Sequence, residues 1–406
     1  MRKSYDELLK IANKLKCNDI YSWSKINTFN EDTYNYFLRY VLKIPEDRND
    51  SIYAPLGTIA HDSLEKFYKN KLKHNGMLEY FEEKLFEYTV AGMKYDRSDE
   101  EKNKKIGNKY EDCLRHFFKN HIKIKGKPKL ELFVPLKLNN SMFQCYIDFV
   151  HNEKRVIDNE EKDVIVITDW KTSTIYKGEK LEKEKGQLIL YGMAIAQKLK
   201  IPINQIIIRW CFLKYVNIDC VQANGNTKVR TIERNDIGNS LLSSVKMWLK
   251  KSSLKLTDED IDNHILKLIG TNSIDELPDD VKDKFSISDC YTEVQFDQEA
   301  IDELNEKLLN IVQQIKEKEN EYKETKNSKI WWQEVTDKDS YRLANLSGYS
   351  AKIHRPYKEY LDNLNLFMNK KETDNDEEIQ DSSDINLSVK ETQKDEDDLS
   401  WLNDLL

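Results

Sequence analysis

The chain has 406 residues, 39% hydrophobic and 33% charged, enough for one large core or two ordinary ones in a helix-rich soluble protein. Its net charge of −8 is concentrated in residues 371–406, which hold 13 acidic and 3 basic residues; the remaining 61 basic and 59 acidic residues make a nearly neutral body that does not exclude a polyanionic substrate. No stretch approaches 18 consecutive apolar residues and MRKSYDELLK lacks a signal peptide's apolar core, so no membrane involvement is expected and the chain is expected in the cytoplasm.

In chain order, residues 5–16 read as a short helix and an aromatic-rich helical pattern runs from Asp32 to Leu42. After Pro55, Ile59, Leu64, Phe67 and Tyr68 recur at helical spacing, and residues 99–123 do the same through Ile106, Tyr110, Cys113, Phe117 and His121. The region 102–129 is lysine-rich, which fits a solvated helix face as well as a DNA-binding patch. Three strands are then expected, at 129–138, 143–152 and 163–172, with the charged EKRVIDNEEK between the last two read as an exposed turn or hairpin tip. A helix over 181–199, a buried strand over 205–215 and a fifth strand near 228–234 follow, and the chain is expected to be mostly helical from there to 325. The clearest helix is 297–325, with a stripe of Ile301, Leu304, Leu308, Ile311, Ile315 and Tyr322. The organisation expected is an N-terminal helical region (1–125), a mixed α/β core (126–245), a mainly helical region (246–370) and an acidic, disordered tail (371–406). Trp401, Leu402, Leu405 and Leu406 end that tail at helical spacing, in the manner of a short peptide that folds on a partner.

The chemistry concentrates around VIVITDWKTS, residues 164–173. Asp148 and Asp169 end successive strands, and an antiparallel hairpin would bring them together. Two close carboxylates repel unless a cation or shared proton lies between them, which points to a hard divalent ion such as Mg²⁺. Lys171 shares a strand face with Asp169, where an ammonium can offset charge on a phosphate undergoing hydrolysis; Trp170 points the other way, into the core, with its carbonyl still able to reach a metal. Gly57 and His61 lie one helical turn apart, and Glu131, Gln187 and Tyr191 complete a polar cluster. Taken alone, an Asp-x-Lys triplet is more often a surface ion pair and a helical histidine more often structural. The six cysteines (Cys17, Cys113, Cys145, Cys211, Cys220, Cys290) form no C-x-x-C pair and are expected as reduced thiols.

The ordered set SWSKINTF, GTIAH, ELFVPL, CYIDFV, ITDWKTS and GQLILYGMA resembles the PD-(D/E)XK nuclease superfamily, in its RecB-like branch with the AddAB nuclease domains and CRISPR adaptation nucleases. The resemblance implies a restriction-endonuclease-like mixed sheet flanked by helices. It implies His61, Asp148, Asp169 and the Trp170 carbonyl as ligands of Mg²⁺ or Mn²⁺, Lys171 as the catalytic lysine, Gln187 and Tyr191 as the helix pair that positions the lysine and the DNA backbone, and Glu131 as a supporting acid. Many relatives close the chain ends with an iron–sulfur cluster. Here the corresponding segments, TFNEDTYNYFLRY and RLANLSGYSAKIHRP, contain no cysteine, so no cluster is expected and packing of Trp331, Trp332, Tyr349 and Tyr357 is expected in its place. The 21-residue separation of Asp148 and Asp169 is also longer than the family's short hairpin, and a surface insertion accommodates it at little cost.

The function expected is a metal-dependent DNA exonuclease in recombination, repair or replication. The alternative is a non-catalytic DNA-end-binding scaffold whose tail recruits a helicase, polymerase or single-strand-binding protein. No G-x-x-x-x-G-K-[ST] occurs, which excludes a nucleotide-driven motor. The Lys-, Asn-, Asp- and Ile-rich composition suggests an AT-rich genome, as in a bacterial or bacteriophage source.

Overall fold

A computed structural model describes the backbone of residues 2–157 and 159–378, with side chains to residue 366. Helices α1 (Tyr5–Lys14), α2 (Trp23–Glu31) and α3 (Thr33–Tyr36), with β1 (Asp19–Ser22) between the first two, precede α4 (Tyr53–Tyr68), α5 (His74–Val90) and α6 (Glu100–Asn120). Next come β2 (Lys129–Leu138), β3 (Ser141–Ile157), β4 (Glu160–Lys171), α7 (Gly178–Leu199), β5 (Ile206–Val221) and β6 (Thr227–Glu233). The order ends with α8 (Ile237–Leu249), α9 (Asp258–Thr271), α10 (Asp279–Lys282), β7 (Phe285–Val294), α11 (Gln298–Thr325), α12 (Asp337–Tyr341) and α13 (Arg355–Glu378). Helix α13 continues past the expected limit at 370, while residues 379–406, with their expected disorder and terminal apolar motif, lie outside the described residues. Among the described residues no helix is long and apolar enough to cross a membrane.

The fold is mixed α/β, built on a seven-stranded sheet in the order β1-β3-β4-β5-β6, with β2 also on β3 and β7 also on β5. The β2–β3 and β3–β4 pairs are antiparallel, β4 and β5 run parallel, and β6 and β7 are antiparallel to β5. Two parallel neighbours require a crossover, and α7 supplies it. The apolar runs of β4 and β5 are buried as the sequence suggests: Val164, Val166, Ile167, Ile208 and Trp210 have almost no exposed surface. Helix α7 lies so close to Phe296 that a Cβ on Gly192 would meet its ring at 2.5 Å, so any larger residue there would force the ring to move.

Among the described residues the chain divides into two compact units, residues 2–20 with 52–304 and residues 21–51 with 305–378. In the first unit, Leu56, Leu64, Phe81, Leu114 and Phe117 of α4, α5 and α6 pack with Phe149 and Trp170 of the sheet. A further core joins Val216 and Ile218 of β5 to Leu241, Val245 and Leu268 of α8 and α9. Each such fully buried side chain contributes about 2 kcal/mol. In the second unit, Trp331 stacks on Tyr36 and Phe37 at 5.8 and 5.3 Å between ring centres, and Trp332 meets Tyr34 edge-on. Asp32 is buried beneath these rings, capping α3 at the Tyr34 and Asn35 amides and accepting from His354 Nε2 (3.0 Å) and Arg342 Nη2 (3.2 Å). Tyr349 donates to the Ile44 carbonyl (2.7 Å).

Four readings of the sequence need correction. The stretch 153–162 is the far end of a hairpin, as one of its two readings had it, but not a turn throughout: β3 and β4 extend through it, paired from Phe149↔Thr168 to Ile157↔Glu160, because cross-strand ion pairs such as Lys154–Glu161 (3.2 Å) let a charged ribbon keep its ladder in water. Residues 285–294, expected in a helical region, form β7, and Asp19–Ser22 form the short β1. The helix α5 was likewise not expected.

Candidate active site

The hairpin of β3 and β4 settles where the two strand-end acids lie. Its paired residue numbers keep a constant sum, so the register that joins Phe149 to Thr168 sets Asp148 across from Asp169. Hairpin arms that grow equally leave the residues at their base opposite one another, which is why a 21-residue separation does not pull the acids apart. Asp148 Oδ2 accepts from the Trp170 amide (3.0 Å), tying the two strands at this level. Both carboxylates are buried, at 7% and 2% exposure.

Lys171 Nζ lies 2.7 Å from Asp169 Oδ2 and donates to Gln187 Oε1 (2.9 Å), and Gln187 Nε2 donates to the Tyr191 hydroxyl (2.8 Å). Gln187 and Tyr191 are one turn apart on α7, the crossover helix against this face of the sheet, so β4 supplies the acid and lysine while α7 supplies their orientation. Burial raises the Asp169 carboxyl to about 6 against the pull of Lys171, with Asp148 adding to the rise. Burial works against charge on Lys171, yet Asp169 outweighs it and raises the ammonium above its ordinary value. Burial also pushes the Tyr191 hydroxyl well up, leaving it neutral.

On the other side of the hairpin, α4 brings His61 to the Trp170 carbonyl, Nε2 to oxygen 3.0 Å, and its Nδ1 to 3.5 Å from Asp148 Oδ1. Burial disfavours the imidazolium, but Asp148 and Asp169 raise His61 to about 9; burial would raise Asp148, but His61 and the Trp170 amide hold it low. Glu131 falls between the pairs Leu130↔Phe149 and Leu132↔Ile147, hence across from Asp148 on the β2 side. Its φ is +46°, a left-handed conformation that costs a non-glycine residue about 1 kcal/mol and interrupts the strand at this one position. Burial and Asp148 raise its carboxyl. His61, Glu131 and Asp148 offer ligand atoms within 4.8 Å of one another. One imidazole, several carboxylate oxygens and a backbone carbonyl, with no thiol, form a donor set that fits a hard divalent cation such as Mg²⁺ or Mn²⁺.

All the candidates named from the sequence, His61, Glu131, Asp148, Asp169, Trp170, Lys171, Gln187 and Tyr191, therefore fall in one neighbourhood, with a division of labour. His61, Glu131 and Asp148 cluster with the Trp170 carbonyl, whereas Asp169 is engaged by Lys171. The Trp170 indole lies in the core, at 4% exposure. A cavity of about 590 Å³ opens on the first group, lined by Gly57, His61 and Glu131 and also by Arg2, Asp62, Glu65 and Tyr146. Glu65 follows His61 by one helical turn, a spacing that marks it as a neighbour of the site; Arg2 and Tyr146 carried no such sign.

No curated protein matches the chain. Comparison with known families aligns residues 21–329 with the PD-(D/E)XK nuclease superfamily, a span that carries the acid hairpin, the lysine and the crossover helix. These nucleases use divalent metals, the class of ion that the cluster's oxygen-rich donors suit. An acid and a lysine two residues apart at the end of a buried strand, opposed by a second acid across the hairpin, are thus accounted for: the chain belongs to the PD-(D/E)XK nuclease superfamily.

Proposed function

We propose that this chain is a RecB-like deoxyribonuclease that hydrolyses phosphodiester bonds with Mg²⁺ or Mn²⁺, acting as an exonuclease in DNA recombination, repair or replication. The observation that carries the reading is the hydrogen-bonded chain Asp169–Lys171–Gln187–Tyr191 beside Asp148. A scaffold that only bound DNA ends would have no use for an ammonium held between an acid and an amide.

His61, Asp148, Asp169 and the Trp170 carbonyl would hold the cation, with Glu131 in support. When bound, it supplies charge to offset that developing on the phosphate and lowers the pKa of the attacking water. Asp148 and Asp169 bring negative charge to a buried place where nothing but a cation or protons can balance it. Lys171 carries a fixed positive charge that stabilises the phosphate as it gains charge, and Gln187 and Tyr191 restrict the lysine to one orientation before substrate arrives. We further propose that the aromatic packing of Trp331, Trp332, Tyr349 and Tyr357 takes the place of the iron–sulfur cluster of many relatives, and that the tail beyond residue 379 binds a helicase, polymerase or single-strand-binding protein in the cytoplasm.

The test is degradation of end-labelled linear and circular DNA, single- and double-stranded, with Mg²⁺, with Mn²⁺ and with EDTA, beside Asp169→Ala. Metal-dependent loss of linear DNA alone, abolished in the variant, is expected and would reveal polarity. Intact DNA under every condition would leave an end-binding scaffold as the better account.

A further inference from the structure

A second set of buried polar groups lies behind the site and takes no part in the chemistry above. Tyr68 is the last residue of α4, seven positions and two turns after His61, and so on the same face of that helix. Its hydroxyl lies 3.0 Å from His121 Nε2, and His121 Nδ1 lies 2.8 Å from Asp289 Oδ2. Asp289 Oδ1 in turn accepts from Arg234 Nη2 (2.5 Å). The Ile124 amide donates to the Tyr68 oxygen (3.1 Å), which leaves the Tyr68 proton for Nε2 of His121 and the Nδ1 proton for Asp289. His74 Nε2 holds the His121 backbone through its carbonyl (2.9 Å). Tyr68, His121, Arg234 and Asp289 are all buried.

This chain ends on Trp170. The Tyr68 ring lies nearly parallel to the indole (19°, 6.3 Å between centres), and Phe149 packs against both, at 4.8 Å from Tyr68 and 5.5 Å from Trp170. Helix α4 therefore grips Trp170 twice, with Tyr68 on the indole and His61 on the carbonyl. The same residue donates its backbone amide to Asp148. Buried ion pairs of this kind add little stability over apolar packing of the same shape, and their best-attested use is to fix one register among several. An apolar interface would let α4 slide or rotate on β4, whereas a directional chain from α4 to β7 does not.

We infer that Tyr68, His121 and Asp289 are positioning residues of the metal site: they fix α4 on β4 so that His61, Asp148 and the Trp170 carbonyl meet in one place before a cation arrives. The inference rests on the reading of His61 and Asp148 as metal ligands. Its reach is the affinity for the ion, since none of the three residues touches substrate.

The experiment is a titration of free Mn²⁺ by electron paramagnetic resonance, with thermal melting of the same samples, on the full chain and on Tyr68→Phe, Asp289→Asn and His61→Ala. Tyr68→Phe keeps the ring on Trp170 and removes only the hydroxyl, so it carries the test if Asp289→Asn does not fold. Tyr68→Phe and Asp289→Asn are expected to bind Mn²⁺ about tenfold more weakly, the usual effect of losing a group that orients a ligand, with cleavage recovering at saturating metal. A lowered melting temperature with unchanged Mn²⁺ affinity in both, while His61→Ala binds weakly, would overturn this inference alone. Unchanged affinity in His61→Ala would overturn the metal reading and the inference together.

Discussion

Two buried carboxylates in this protein, Asp32 and Asp169, are shifted in opposite directions. Asp32, in the second unit, is 5% exposed and Asp169, in the first, 2%, so burial alone does not separate them. Burial acts to raise both. Around Asp32 it is outweighed by His354, Arg342 and the amides of α3, and the carboxyl is held below its ordinary value. Around Asp169, burial and the Asp148 carboxylate outweigh Lys171 and His61, and the group rises to about 6. Asp32 alone has two basic partners, whereas Asp148, Asp169 and Glu131 share Lys171 and His61 and are one basic group short. That deficit, rather than burial or acidity, marks the place where a cation would bind.

The contrast is most exposed to failure at Lys171. Lys171→Ala and Asp169→Ala are each expected to lower cleavage of end-labelled DNA by at least about a thousandfold while leaving DNA binding intact; near-normal cleavage would make the two clusters functionally alike. Asp32→Asn has the opposite character, because it strands Arg342 and His354. A loss of about 3 kcal/mol in urea-denaturation stability is expected, with metal binding unchanged. The wild-type carboxylate contributes fully above its unfolded value of 3.8 and loses that contribution as pH falls through its lower folded value, so the gap between variant and wild type should close in acid below about pH 3.8.

A smaller effect sharpens the same comparison. A cation must displace protons from His61, raised to about 9, and from Asp169, raised to about 6. Mn²⁺ affinity should therefore rise with pH between about 6 and 9, by up to about tenfold per unit for each proton displaced. Calorimetry in buffers of different ionisation enthalpy would detect the released protons, and buffer-independent heats would contradict the reading. The smallest effect concerns the hairpin. Replacing residues 156–161 by Asn-Gly keeps Arg155 opposite Lys162 and should leave cleavage within about twofold, whereas removing one residue from a single arm shifts the register and should abolish it.

The site was legible in the sequence because its chemistry is written in short continuous pieces. The β-branched run before Asp169 announces a buried strand, period two puts Lys171 on the face of Asp169, and one helical turn joins Gln187 to Tyr191. What escaped was held by long-range pairing. Strand β7, FSISDCYTEV, mixes serine, threonine and acids without clean alternation, and it is a strand because β5 offers it a ladder some 70 residues earlier in the chain. Its Asp289 reads as a surface acid until Arg234 and His121 are beside it. The ends of β3 and β4 were hidden by their charges, and nothing in the sequence announces the positive φ of Glu131. Local periodicity reports what a segment does alone, and these elements depend on partners far away in sequence.

The second unit carries one more consequence. Tyr36, Phe37, Trp331, Asp32, Arg342 and His354 hold it with rings and hydrogen bonds, and no cysteine falls within residues 21–51 or after 305. Asp32 and His354 lie 322 positions apart, so these contacts form only once both segments have left the ribosome.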